Sequence, residues 1–131
     1  MKDADFTRLT QTLHRHSELE LALLFGSLAR GTARDDSDLD IAVQAAQPLS
    51  ANQEIALIGD LAVAVGRPVD LIDLRTVGEP LLGQILQHGR RLLGSSDAHG
   101  RLLSRHYLDA ADFLPYAQRI VDERRRAWIG T

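Results

Sequence analysis

Two apolar runs separated by a polar bend of fixed composition leave this chain few ways to fold. The first run, Leu21-Ala22-Leu23-Leu24-Phe25, stops at Gly26-Ser27; after ten further residues Asp38-Leu39-Asp40 opens the second, Ile41-Ala42-Val43. The order predicts a strand, a tight turn with a short helical segment, a loop and a second strand. Side chains alternate along a strand, so Asp38 and Asp40 share one face while Leu39 and Ile41 share the other. Carboxylates two positions apart then lie roughly 6 to 7 Å from each other along that face. They repel unless a cation sits beside them.

A hard divalent ion satisfies such a pair. Mg²⁺ prefers oxygen ligands and is usually held by one or two carboxylates together with substrate phosphates. The Gly26-Ser27 bend supplies the complementary half: backbone N–H groups at a helix start and the Ser27 hydroxyl can face an anion. Glycine lets the chain turn sharply and lets a phosphate approach the backbone. Together the two halves describe a site for a nucleoside triphosphate and its metal.

Gly26-Ser27, ten residues, then Asp38-Leu39-Asp40 resembles the Gly-Ser-x10-Asp-x-Asp signature of the minimal nucleotidyltransferases, small relatives of the DNA polymerase beta catalytic domain. Ala29-Arg30-Gly31 and Ser37 match further positions of that pattern, and the resemblance covers roughly the first 95 residues. It implies an α/β (α+β) fold of the polymerase-beta-like nucleotidyltransferase type: a small mixed sheet flanked by helices, with a C-terminal helical tail.

The length of 131 residues suits one domain, here residues 1–95, followed by a tail at 96–131 that is a candidate partner-binding segment. With no cysteine there is no disulfide or thiolate metal site, in keeping with an intracellular protein. The start, Met1-Lys2-Asp3-Ala4-Asp5, is not a secretory signal, and no apolar run approaches membrane-spanning length. A cytoplasmic location is the expectation, without membrane attachment. A net charge of -3 argues against general affinity for nucleic-acid backbones, so direct DNA binding is not expected. The charge is split: -6 over residues 1–83 and +3 over 84–131. The basic half is either a face for a partner or an uneven distribution without a role.

Along the chain, residues 3–17 predict a helix with a Phe6, Leu9, Thr10, Leu13 stripe, capped by Asp3 or Asp5. His14 and His16 near its end read as solvated or helix-terminal histidines. Glu18–Phe25 predicts the first strand, with Leu19, Leu21, Leu23 and Phe25 on one face and Glu20, Ala22 and Leu24 on the other. The second strand spans Leu39–Gln44. Ser50 and Gln53 form a capping box for a helix over Ala51–Val65, with Ile55, Ile58, Ala62 and Val65 inward and Leu61 beside them. Gly66-Arg67-Pro68 stops it. A third strand covers Val69–Leu74. Residues 79–88 predict a short helix ended by Gly89, and Arg90–Leu93 reads either as an edge strand or as more helix. From Ala98 onward a helical stripe runs through Leu102, Leu103, His106, Tyr107, Ala110, Phe113 and Leu114 and on to Tyr116, Ile120, Val121 and Trp128. The tail holds four of the chain's six aromatic residues, which suits either an interface or core packing.

On the third strand Asp70 and Ile72 share one face and Leu71 and Asp73 the other, so the two aspartates cannot enter one site together. The resemblance implies a third catalytic carboxylate from a strand beside the Asp-x-Asp strand, and Asp70 matches it by position. Its structural alternative is an edge-strand acid that discourages sheet-to-sheet association. The implied machinery is then Asp38, Asp40 and Asp70 holding two Mg²⁺ ions, with Gly26, Ser27 and Arg30 on the phosphates of ATP. Arg30 reads equally as an ordinary solvated arginine. The chain lacks a second large domain for a template, which argues against polymerase action. Small nucleotidyltransferases of this kind resemble the antitoxin half of a toxin–antitoxin pair whose partner is a small helical HEPN ribonuclease. The resemblance implies transfer of AMP from ATP to a tyrosine on that toxin, silencing it, within a hetero-oligomer. A non-catalytic antitoxin acting by contact is the alternative, and an antibiotic-modifying nucleotidyltransferase comes third.

Overall fold

The computed structural model describes residues 1–31 and 37–109. The loop at 32–36 and the tail from Ala110, with its expected stripe through Phe113, Tyr116 and Trp128, lie outside the described residues. In chain order the elements are α1 (Asp3–Arg15), β1 (Leu19–Phe25), α2 (Gly26–Arg30), β2 (Leu39–Ala45), α3 (Ala51–Val65), β3 (Val69–Asp73), α4 (Leu81–His88) and β4 (Arg90–Leu93). A further helix, α5, occupies residues 96–109.

The strands form one sheet in the order β3-β2-β1-β4. β1 is antiparallel to both β2 and β4, whereas β2 and β3 run parallel. A parallel pair needs a crossover, and α3 provides it. The sheet is therefore mixed, and it carries a core on each face. On one face Leu9 and Leu13 of α1 and Leu57 and Leu61 of α3 pack on Ala22, Leu24, Leu39, Ile41 and Val43. On the other, Leu82 and Ile85 of α4 and Leu102 of α5 pack on Leu21, Leu23 and Ala42. Because β1 and β2 are covered on both sides, their sequences run apolar with little alternation.

Local chemistry sets most boundaries. Ser50 and Gln53 form the expected reciprocal cap: the Gln53 N–H donates to Ser50 Oγ at 3.1 Å and the Ser50 N–H to Gln53 Oε1 at 2.9 Å. At α1 the capping position belongs to Lys2 instead of Asp3 or Asp5, and Asp5 accepts the Lys2 N–H at 3.1 Å. Arg90–Leu93 pairs with β1, so the strand alternative holds. Gly89 makes that switch from α4 sterically feasible, since a Cβ there would stand 2.3 Å from the Ile85 carbonyl oxygen.

Two side-chain assignments differ from the sequence pattern. Leu19 joins Ala22 and Leu24 rather than Leu21 and Leu23, because the β1–β2 register shifts between Leu19 and Leu21 and an extra residue reverses the alternation. In α3 the buried stripe is Leu57 and Leu61, while Ile55 is 68% exposed. The helix is apolar nearly all round, so its periodicity does not select the inward side; the sheet and α1 do. On α1, Thr12 rather than Thr10 is the buried threonine, its hydroxyl donating to the Arg8 carbonyl at 2.8 Å.

The described part of the tail is tied to the sheet. Arg105 of α5 donates to the carbonyls of Leu74 and, at 3.0 Å, Val77, and His106 pairs with Glu79 at 2.5 Å. These contacts hold the segment between β3 and α4, and so set where α4 lies. Leu57→Ala should lower unfolding free energy by about 2 to 5 kcal/mol, whereas Ile55→Ala should stay within about 0.5 kcal/mol. Urea denaturation midpoints of the two variants check the assignment; equal losses would refute it.

Candidate active site

The site forms where β1 ends beside the start of β2. Phe25 pairs with Asp40 across the antiparallel ladder, and Asp40 pairs on its other side with Asp70 of β3. Paired residues on neighbouring strands point to the same face, about 5 Å apart, so Asp40 and Asp70 are direct neighbours. That face is the one covered by α4 and α5, since Ala42 and Ile72, two positions on, pack in the second core. Leu39 and Ile41 point the other way into the first core.

Gly26 touches the Asp40 member of this pair. Its φ is +71°, and a Cβ built on it would stand 2.2 Å from Asp40 Oδ2. Only glycine combines the left-handed turn with that approach. α2 begins there, with Ser27 as its second residue, and ends on Arg30 and Gly31.

Asp38 lies just before β2 and is exposed. Its backbone is anchored by a residue whose part in the site the sequence did not reveal. Arg67, within the turn after α3, donates to the Ser37 carbonyl at 2.9 Å, and the Leu39 N–H donates to the Pro68 carbonyl at 2.8 Å. Arg-Pro after a helix-ending glycine reads as a turn, and nothing in one sequence links it to a strand start thirty residues earlier.

The electrostatics match the geometry. Burial pushes the Asp40 carboxyl above the usual carboxylate range, the Asp70 and Asp38 charges push it further, and Arg30 pulls it back. Arg30 thus belongs to the electrostatics of the site. Asp73, on the opposite face of β3 from Asp70, accepts the Leu49 N–H at 2.9 Å and the Arg75 N–H at 2.8 Å. His16 bridges α1 and α3 through Asp60 at 2.8 Å, a structural use, and His14 is exposed.

Beside Gly26 opens a cleft of about 500 Å³ lined by Phe25, Gly26 and Arg30 and, across from them, by Leu81, Gln84, Gln87 and His88 of α4. In the sequence this segment is marked as a helix by its apolar residues, and its polar side stands out less. The available signal was the spacing of Gln84, Gln87 and His88 opposite Leu82 and Ile85. A cleft of similar size between α1 and the end of α3 lies on the other side of the sheet, and its Arg8 is already engaged by Asp5 and the Ala64 carbonyl.

Residues 7–98 match the family described as polymerase beta, nucleotidyltransferase. The chain belongs to that family. It is also 41% identical over 78 residues to the protein adenylyltransferase MntA of Shewanella oneidensis, a match covering 60% of this chain and 56% of the relative, hence a little over half of that protein's length. Among solved structures it superposes with a TM-score of 0.79 on a chain of a toxin–antitoxin crystallised with AMP-PNP, at 30% identity over 92% of this chain and 98% of that one. A second match is to a chain of the tri-AMPylated Shewanella oneidensis HEPN toxin in complex with MNT antitoxin, with a TM-score of 0.76 and 27% identity over 95% of this chain and 99% of that one. The nucleotidyltransferase family thus accounts for the mixed sheet and for the bend beside the paired strands.

The oxygen-only donor set suits a hard divalent ion. Among the described residues no three Asp, Glu, His or Cys side chains form a ready-made metal cage. A Mg²⁺ site completed by substrate phosphates does not require one, and the mutual repulsion at Asp40 is of the kind a cation relieves.

Three outcomes follow from this geometry. In metal-free protein, Asp70→Asn should bring the Asp40 carboxyl down towards its ordinary value and Arg30→Ala should raise it, as read by carboxyl ¹³C NMR titration. A raised folded-state value means that the strain is fully present above that value and is relieved as the pH falls through it. On mild acidification the wild type should therefore gain stability relative to Asp40→Asn. Gly26→Ala should cost about 1 kcal/mol or more and displace Asp40, seen as a lower denaturation midpoint and weaker nucleotide binding.

Proposed function

We propose that this chain is the adenylyltransferase antitoxin of a toxin–antitoxin pair, transferring AMP from ATP to a tyrosine hydroxyl of a small helical HEPN-type ribonuclease and so neutralising it. The observation that carries the reading is Asp40, flanked by Asp70 and in contact with the Gly26 bend. Similarity to the Shewanella adenylyltransferase and to toxin–antitoxin complexes supports both the reaction and the partner. Residues 1–95 would supply the catalytic module and 96–131 the partner-binding segment. Among the described residues no helix is long and apolar enough to cross a membrane, which is compatible with action in the cytoplasm.

In the reaction the tyrosine oxygen attacks the α-phosphorus of ATP. An O–P bond forms, the bond to the β-phosphate oxygen breaks, pyrophosphate leaves and the phenolic proton is released. Gly26, Ser27 and Arg30 would hold the β- and γ-phosphates, Gly26 by close backbone approach and Arg30 by charge. Asp38, Asp40 and Asp70 would hold Mg²⁺, two ions being expected; when bound, the metal supplies charge neutralisation at the α-phosphoryl group and a more acidic nucleophile. Asp70, exposed on the edge strand, would help take the phenolic proton.

Incubation of the chain with its cognate toxin, ATP and Mg²⁺ should add AMP to a toxin tyrosine, visible by intact-mass and peptide mass spectrometry. Asp38→Asn/Asp40→Asn should reduce transfer at least about a hundredfold with circular dichroism unchanged. Undiminished transfer by the folded double variant would overturn the catalytic assignment. Neutralisation by that variant without any transfer would mean that contact alone silences the toxin.

A further inference from the structure

We infer that α4 forms the nucleobase half of the nucleotide site: Gln84, Gln87 and His88 bind the base of the triphosphate whose phosphates face Gly26 and Arg30. The inference rests on the nucleotidyltransferase reading and specifies the part of the site that the signature residues leave open.

α4 has two faces with different duties. Leu82 and Ile85 are fully buried in the second core. Residues 81, 84, 87 and 88 recur at helical spacing and so share the other side. That side does not simply face bulk water, because it forms one wall of the cleft opposite Gly26 and Arg30. The helix is held in place from behind by the Glu79–His106 pair and by the carbonyl contacts of Arg105, so its polar wall stands on a supported element.

The cleft has the size and polarity of a nucleotide. Its volume of about 500 Å³ falls within the usual span for small-molecule sites. One end is cationic through Arg30 and adjoins the carboxylates. The α4 end carries two neutral amides, an imidazole and Leu81, with no acid among them. A nucleoside triphosphate has the same gradient, from anionic phosphates to a flat base with neutral donors and acceptors on its edge. A glutamine amide presents one donor face and one acceptor side by side, matching the adjacent amino group and ring nitrogen of adenine. Phe25 and His88 bring rings to the same lining, where base stacking is favourable. A base with an amino group beside a ring nitrogen fits this wall, and adenine is one such base.

The test compares ATP with inorganic tripolyphosphate, each with Mg²⁺, in calorimetric titrations of the full chain. Gln84→Ala/Gln87→Ala changes exposed positions to a strong helix former, and Gln84→Met/Gln87→Met keeps side-chain length while removing the amides. Both variants should weaken ATP binding by about fivefold or more and leave tripolyphosphate binding unchanged. Unchanged ATP affinity, or equal weakening of both ligands, would overturn the inference. Failure of the wild-type chain to bind either ligand would instead remove the nucleotidyltransferase reading beneath it.

Discussion

The contact on which this molecule turns is the one between a glycine without a side chain and a carboxylate without room. Gly26 lets β1 break off at a left-handed turn directly against Asp40. Asp40 is held there by backbone pairing on both sides, with Phe25 and with Asp70. The sheet thus brings two carboxylates together at the end of a bend, with Asp40 partly buried and Asp70 exposed beside it. A fold does not keep such an arrangement for its own stability. A cation beside the pair would relieve that repulsion.

The remainder of the architecture keeps that place open and aimed. α1 and α3 cover the far face of the sheet and bury the residues that alternate with the acids, Leu39 and Ile41. α4 and α5 cover the near face, reaching Leu21, Leu23 and Ala42, with Phe25 and Ile72 packed at its margin. Arg67 fixes the chain at Ser37 from the turn preceding β3, so the approach to Asp38 and the strand carrying Asp70 are joined through one guanidinium. Positioning of the acids is in this sense a property of the crossover and not of the acidic segment alone. Arg105 and His106 perform the equivalent task for α4 on the other side of the cleft.

Several features were legible in the residues because their causes are local. The Ser50–Gln53 cap, the stop at Gly66 and the separation of Asp70 from Asp73 all follow from chemistry within a few positions. Where the inference failed, the cause was non-local. Ile55 looked as suitable for burial as Leu57, because an apolar helix does not announce which side its neighbours will cover. Leu19 left its expected face because of a pairing irregularity with β2 that leaves no mark in β1 alone.

The amino-acid order by itself determined the chemistry of this protein: which acids alternate into one face, where a glycine must bend the chain, and that the donors are all oxygen. Those are consequences of spacing and of side-chain type, and they hold before any long-range contact forms. Tertiary structure decided what stands around them. Only the parallel pairing of β2 with β3 sets Asp70 beside Asp40, and only the packing of α4 across the sheet turns two unremarked glutamines and a histidine towards Arg30. Partners brought together from distant positions depend on pairing register and helix packing, which are properties of the whole chain.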